Sequence, residues 1–137
     1  MSTRTEPSAT GSPAYSEMLP RVPESAAEAR RLVTSALRVW HLEAAEFPAQ
    51  IVISELFNNT VQHARLDRVR VTISRVDTHL VRLAVIDRSH AMPEAREAGL
   101  DEENGRGLEL VAALTKEWGT DLLRWGKRVW ADLECEP

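Results

Sequence analysis

The sequence is poor in the residues that build several common kinds of protein. It holds a single cysteine, Cys135, so no disulfide can form within the chain, which is usual in the reducing cytosol. No apolar run approaches the length that spans a bilayer, and residues 1–14 lack the apolar centre of a signal peptide. Positive charge is not in excess, because the formal net charge is -4. We therefore expect a cytoplasmic protein whose main partner is neither a nucleic acid nor a membrane.

The sequence motifs of several enzyme classes are also missing. The chain contains no G-x-x-x-x-G-K-[ST], no G-x-S-x-G, no C-x-x-C and no H-E-x-x-H. Its histidines do not occur at the spacing of metal ligands. A zinc enzyme and a serine hydrolase are therefore not expected.

The remaining composition is that of one ordinary domain. Of the 137 residues, 43% are hydrophobic and 28% are charged, which suits a globular fold with a real core. Residues 1–14 are rich in Ser, Thr, Pro and Gly and predict a disordered tail, so the domain is expected over residues 15–137. Hydrophobic periodicity predicts three helices and a largely antiparallel sheet of four or five strands, which is a two-layer α/β sandwich. The predicted helices cover residues 26–40, 48–64 and 107–116, and the predicted strands cover residues 15–22, 69–74, 80–86, 120–125 and 128–134.

The second predicted helix carries an unusual polar face. Glu55, Asn59 and His63 follow one another at i, i+4 and i+8 on the side away from its apolar stripe, with Asn58 and Gln62 beside them. Asparagine in mid-helix costs helix propensity, so this pattern favours a site over an ordinary solvated face. An amide oxygen is a suitable magnesium ligand, and a carboxylate one turn away could act as a general base. A polar face without a function is the alternative for this segment.

Two further segments carry possible ligand contacts. Asp87 ends an apolar strand, where its carboxylate could accept a hydrogen bond from an amino group such as that of adenine, although it could also simply begin a turn. Gly105, Arg106, Gly107 and Leu108 open a helix after the aperiodic segment 87–106. Glycines allow close approach of the backbone, free N–H groups at a helix start bind anions, and Arg106 is a possible phosphate partner. A flexible loop end is the alternative.

The polar row of the second helix, then Asp87, then the glycine motif 105–108 follow one another in an order and at a spacing that resemble the nucleotide site of the histidine kinase/Hsp90-like ATPase superfamily. Residues 118–119 and 126–130 resemble the closing hairpin of the small anti-sigma-factor serine/threonine kinases. The resemblance implies the Bergerat fold, a mixed and mostly antiparallel sheet covered by helices, which binds ATP with Mg²⁺ beneath a mobile lid. It implies that Glu55 is the catalytic base, that Asn59 is the magnesium ligand and that Asp87 contacts adenine. The other implied nucleotide-binding positions are Asn58, His63, Gly105, Arg106, Gly107 and Leu108.

Two functions are compatible with the resemblance. The first is a kinase that transfers the γ-phosphate of ATP to a serine or threonine of an antagonist protein, or that sequesters a sigma factor, and thereby regulates transcription, with a homodimer as a possible assembly. The second is a non-catalytic ATP-binding interaction module. Glu55 favours the kinase, whereas the segment after Asp87 favours the module, because it lacks both glycines of the family's D-x-G-x-G. Lys127 and Arg128 also stand where many of these kinases have threonine.

Overall fold

One antiparallel sheet organises the domain. The computed structural model describes residues 4–7, 13–64, 67–88, 105–124 and 126–136. The strands are β1 (Arg4–Pro7), β2 (Pro13–Pro20), β3 (Arg68–Asp77), β4 (Leu80–Asp87), β5 (Glu117–Leu123) and β6 (Gly126–Glu134). They occur in the spatial order β1-β2-β3-β4-β6-β5, and every pair described is antiparallel. The helices are α1 (Ala26–Val39), α2 (Glu46–His63) and α3 (Gly105–Leu114).

The helices and one face of the sheet enclose the core. Alternate residues of β3, β4 and β6 are apolar and buried, and the register places Val71 beside Val85 and Val85 beside Val129. The apolar stripe of α2 lies over β4 and β6, while α1 covers β2 and β3. Burial of these side chains, each of which contributes about 1.5–3 kcal/mol, holds the two layers together. The predicted two-layer α/β sandwich is confirmed.

Side-chain hydrogen bonds fix one flank of α2 against α1. Gln50 Nε2 donates to Thr34 Oγ1 over 2.9 Å, and Arg30 Nη1 donates to Ser54 Oγ over 3.1 Å. Between the helices, His41 adopts a left-handed backbone with φ of 60°, and Leu42 N donates to Leu37 O over 2.8 Å. This arrangement is a Schellman motif with histidine at the position that usually holds glycine, and it ends α1 sharply.

The outer face of the sheet is covered by its own polar side chains. Arg82 donates two hydrogen bonds to Asp132, of 2.7 and 2.9 Å, and its guanidinium lies 4.4 Å from the ring centre of Trp130. The hydrogen bonds to Asp132 hold the pKa of Arg82 above its ordinary value. The indole packs against Gly119, where a side chain would contact it. These cross-strand pairs stabilise β4, β5 and β6 on the face that carries no described helix.

The structure differs from the sequence-based expectations at three places. Residues 4–7, within the expected disordered tail, form a strand that pairs with β2, so β2 does not lie at the edge of the sheet. Strand β5 begins at Glu117, earlier than predicted, because that residue pairs with Asp132 of β6. Gly126 and Lys127 are strand residues rather than the turn of the hairpin, since Gly126 already pairs with Leu123. The aperiodic segment was expected to contain the mobile lid that the resemblance implies, and its residues 89–104 lie outside the described residues.

Candidate functional site

The candidate residues of α2 and β4 lie at the same end of the sheet. Strand β4 ends at Asp87, beside the beginning of β3, because Arg70 pairs with Ile86. Helix α2 ends at His63, a few residues before β3 begins, so its C-terminal half comes to this end as well. Arg21, which follows β2, donates from Nη1 to the Val61 carbonyl oxygen over 3.0 Å and connects α2 to the same end.

Glu55 and Asn59 lie on the flank of α2 that is turned away from α1. The hydrogen bonds of Gln50 and Ser54 mark the opposite flank. Both Glu55 and Asn59 are half-buried, whereas Asn58 is exposed. Helical geometry turns each i+4 step by about 40°, so the row drifts towards the sheet. The polar row therefore lies at the border between the buried stripe and solvent rather than directly opposite the stripe.

His63 and Gln62, near the end of α2, continue the change in burial along the polar row. His63, the last residue of the row and of the helix, is half-buried, and it has contacts within the chain. Gln62, one position earlier, is exposed to solvent. The row therefore runs from the middle of α2 down to the end of the domain where β4 stops.

Asp87 is almost completely buried. Its relative exposure is 6%, and it alternates with Ile86 so that it shares the helix-facing side of β4 with Val85. It is thus a carboxylate at the end of the core, beneath the layer that contains α2. Such a group is placed to accept a hydrogen bond from a ligand that enters between the helices and the sheet.

The start of β6 lies directly against Asp87. A Cβ atom on Gly126 would stand 1.9 Å from the Asp87 carbonyl oxygen, so only glycine allows the two strands to approach this closely. The register then pairs Lys127 with Asp87. The hairpin interpretation of the sequence missed this contact. The alternation of Val129, Ala131 and Leu133 continues back to position 127, and this signal could have placed Lys127 on the helix-facing side.

Helix α3 begins with the glycine motif, as the sequence predicts. Gly105 and Gly107 lie in its first turn, and Leu108 is half-buried. The side chain of Arg106 lies outside the described part of the structure. The helix packs against α2 and leads to the start of β5, where Lys116 N donates to Asp132 O over 2.8 Å. The three predicted motifs therefore occur on elements that contact one another or share one end of the sheet.

The chemistry of the donors suits a hard cation beside a phosphate. Among the described residues, no group of three or more His, Cys, Asp or Glu side chains could hold a metal ion. Asn59 offers one amide oxygen and Glu55 a carboxylate one turn away, which fits magnesium, an ion usually held by few protein oxygens together with phosphate and water. Cys135 follows β6 at the opposite end of the sheet, and burial raises the pKa of its thiol to about 11, so it is not a nucleophile at neutral pH.

None of the described helices combines the length and the apolar character that a bilayer crossing would need.

Comparisons with known proteins agree with this fold. The family described as the histidine kinase-like ATPase domain matches residues 19–130 of the chain. Among solved structures, the histidine kinase domain of the blue-light activated histidine kinase from Erythrobacter litoralis EL346 superposes with a TM-score of 0.53 at 18% identity. The match covers 85% of this chain and 61% of that one, so it supports the fold. None of the curated proteins compared with the chain matches it. The family match covers most of the chain, which therefore belongs to the histidine kinase-like ATPase domain family.

Proposed function

We propose that the protein binds ATP with Mg²⁺ between α2, the end of β4 and the start of α3, and transfers the γ-phosphate to a serine or threonine of a regulatory partner. The observation that carries the proposal is the placement of Glu55 and Asn59 on the flank of α2 that is turned away from α1, in the half of the helix that leads to the end of the domain where Asp87 is buried. Family membership supports ATP binding in a regulatory protein. The partner class is a sigma factor or its antagonist, in the cytoplasm.

Each residue has a distinct role in this proposal. Asp87 accepts a hydrogen bond from the adenine amino group, and the backbone of Gly105 and Gly107 contacts the phosphates at the start of α3. Asn59 supplies an amide oxygen to the magnesium ion. When bound, the ion would neutralise charge on the phosphate oxygens. The remaining nucleotide contacts are assigned to Asn58, His63, Arg106 and Leu108.

Glu55 would take the proton in the transfer step. The acceptor hydroxyl attacks the γ-phosphorus, the bond to the bridging oxygen of ADP breaks, and the hydroxyl proton passes to the Glu55 carboxylate. Half-burial suits this role, because the carboxylate is open to a substrate hydroxyl and yet lies beside the magnesium ligand one turn away. Asp87 cannot replace it, since it lies at the proposed adenine end.

Replacing Asn59 by Ala is expected to weaken binding of ATP in magnesium by on the order of tenfold, the effect of losing one charge-assisted contact of about 1.5 kcal/mol. Binding of adenosine, which has no phosphate for the ion, should hardly change. Titration calorimetry with both ligands measures the difference. Gln50→Ala is the matched control, because this amide lies on the same helix but bonds to α1. Equal losses for ATP and adenosine would contradict the assignment of Asn59.

Asp87 is expected to make the protein prefer ATP over GTP. A carboxylate accepts from the adenine amino group but would oppose the O6 acceptor of guanine, and an unpaired buried acceptor costs about 1–3 kcal/mol. The preference should therefore be roughly tenfold to a hundredfold, and Asp87→Asn should reduce it because the amide can also donate. Competition binding against a fluorescent nucleotide measures both affinities. The control is Asp77→Asn, at the exposed end of β3, and equal wild-type affinities for ATP and GTP would refute the role of Asp87.

The non-catalytic module is supported by a separate observation. Arg88, Ser89 and Ala91 occupy the segment after Asp87 in which the resembling kinases have glycines. A protein of this second kind would bind ATP and a partner without transferring phosphate. Capture of partners from the native cell with and without ATP, followed by a phosphate-transfer assay, separates the two functions.

A further inference from the structure

We propose that two copies of this chain pair along β5, edge to edge and antiparallel, with Thr120 of one copy opposite Thr120 of the other. The pairing would join the six described strands of each copy into one continuous sheet. The contact involves none of the residues assigned to the ATP site, so it stands or falls independently of nucleotide binding.

Strand β5 forms one edge of the sheet. Among the described strands only β6 pairs with it. The register with β6 is continuous over the seven residues from Glu117 to Leu123, so no bulge interrupts the edge. Every second residue of such a strand directs its N–H and C=O groups away from its neighbour. The backbone of β5 is therefore a template for one more antiparallel strand.

The opposite edge of the sheet is protected, whereas β5 is not. Strand β1 spans only four residues and ends at Pro7, which has no N–H group to donate. Strand β5 is longer and contains neither proline nor lysine. Of its two carboxylates, Asp121 forms an ion pair with Arg128 of β6 in the same sheet. Little in the sequence of β5 therefore opposes the approach of a second strand.

The helix-facing side of β5 also exposes apolar surface. Trp118, Thr120 and Leu122 share this side, because side chains alternate along a strand and Trp118 packs against the core. Helix α3 does not cover the whole side, since Thr120 is exposed and Leu122 is 65% exposed. A partner strand that brings an apolar side chain opposite Leu122 would be stabilised by removing this surface from water.

A second copy of β5 supplies that side chain. A two-fold axis perpendicular to the sheet keeps the helices of both copies on the same side, and the residue on the axis then lies opposite its own copy. With Thr120 on the axis, Trp118 of each copy lies opposite Leu122 of the other. Residues opposed in this way have their Cβ atoms about 4.5–5.5 Å apart. A threonine pair is thus flanked by two identical apolar pairs, both of the kind that stabilise a sheet.

The charges of β5 select this register over its neighbours. With Gly119 on the axis, Glu117 of each copy would lie opposite Asp121 of the other. With Asp121 on the axis, this carboxylate would lie opposite itself. Like charges that are directly opposed destabilise a sheet, and of these three registers only the one centred on Thr120 opposes none within β5.

The test exploits the position of Thr120 on the axis, where one substitution places the same charge twice at the centre of the contact. The wild-type protein should approach twice the chain mass of 15.4 kDa in sedimentation equilibrium as its concentration rises to about 1 mM. Thr120→Lys and Thr120→Glu should each weaken this association about tenfold or more. An equimolar mixture of the two variants should associate again, because opposite charges then meet. Thr78→Lys is the matched control, since Thr78 is exposed in the turn between β3 and β4, and it should associate like the wild type.

Each remaining outcome contradicts the proposal. A wild-type protein that stays monomeric at about 1 mM does not pair along β5, and its open edge would then be left to a strand of another protein. If Thr120→Lys associates as the wild type does, the copies meet at a different surface. If both variants are monomeric and their mixture is monomeric too, the two Thr120 side chains do not face one another and the register is wrong.

Discussion

Glu55→Gln is expected to retain ATP binding and to lose phosphorylation of the partner by about 100- to 10,000-fold, the usual contribution of a general base. The substitution keeps the size of the side chain and its hydrogen bonds but removes the basic oxygen. Glu55 is half-buried at the border between the apolar stripe of α2 and solvent, so a neutral amide of the same size fits the same position. The folded state should therefore be unaffected, and the loss should appear in the rate of transfer.

The assay uses radiolabelled ATP and the partner captured from the native cell. Glu46→Gln is the matched control, because this carboxylate lies on the same helix but pairs with Arg38 at a distance of 3.0 Å, away from the site. That surface pair is worth at most about 1 kcal/mol, so the control should transfer phosphate normally. If the wild-type protein labels no captured partner, or if Glu55→Gln labels it at the wild-type rate, the non-catalytic module is the better interpretation.

Gly126→Ala should lower the free energy of unfolding by about 3 kcal/mol, the upper part of the usual range for overpacking. The added Cβ would stand 1.9 Å from the Asp87 carbonyl oxygen and 3.0 Å from the Arg88 Cα. Both neighbours are backbone atoms at the end of β4 and directly after it, so relief requires a shift of β6 relative to β4. Urea denaturation followed by tryptophan fluorescence measures the change.

The control for this experiment is Gly119→Ala. Its Cβ would lie 3.1 Å from the Trp130 ring, and a side chain can move by the few tenths of an ångström that are needed. We expect this change to cost less than about 1 kcal/mol. If Gly126→Ala and Gly119→Ala lower the free energy of unfolding equally, β4 and β6 do not approach one another at Asp87 closely enough to exclude a Cβ atom on residue 126. ATP binding by Gly126→Ala should also weaken, because the Asp87 backbone must move.

Local patterns were sufficient to predict the helices and the two central strands. The stripe that includes Leu56 and Phe57 repeats at helical spacing, and Val69, Val71 and Ile73 alternate, so each element carries its own evidence in consecutive residues. The same periodicity also identified Glu55 and Asn59 as polar residues beside a buried stripe. Their half-buried position could not be read from sequence, because it depends on how α2 lies against the sheet and α3, which come from other parts of the chain.

The contacts that complete the site are non-local. Lys127 meets Asp87 through strand register, which is set by the pairing of whole strands rather than by the residues near either position. Gly126 has the sequence signature of a turn, although its function is close approach to another strand. Residues 4–7 lack any strand signal, and only the open edge of β2 gives them a partner. Sequence periodicity therefore located the elements but not the pairs between them.

The strand order has a consequence for synthesis. Strand β6 is the last strand along the described chain, yet it lies between β4 and β5 and contributes Val129, Ala131 and Leu133 to the core. While the chain is emerging from the ribosome, β4 has one unpaired edge and β5 has no partner. The nascent domain must remain open, with an apolar strand edge exposed, until residues 126–134 have left the exit tunnel. Folding to the native sheet therefore cannot be completed before β6 is available to pair with β4 and β5.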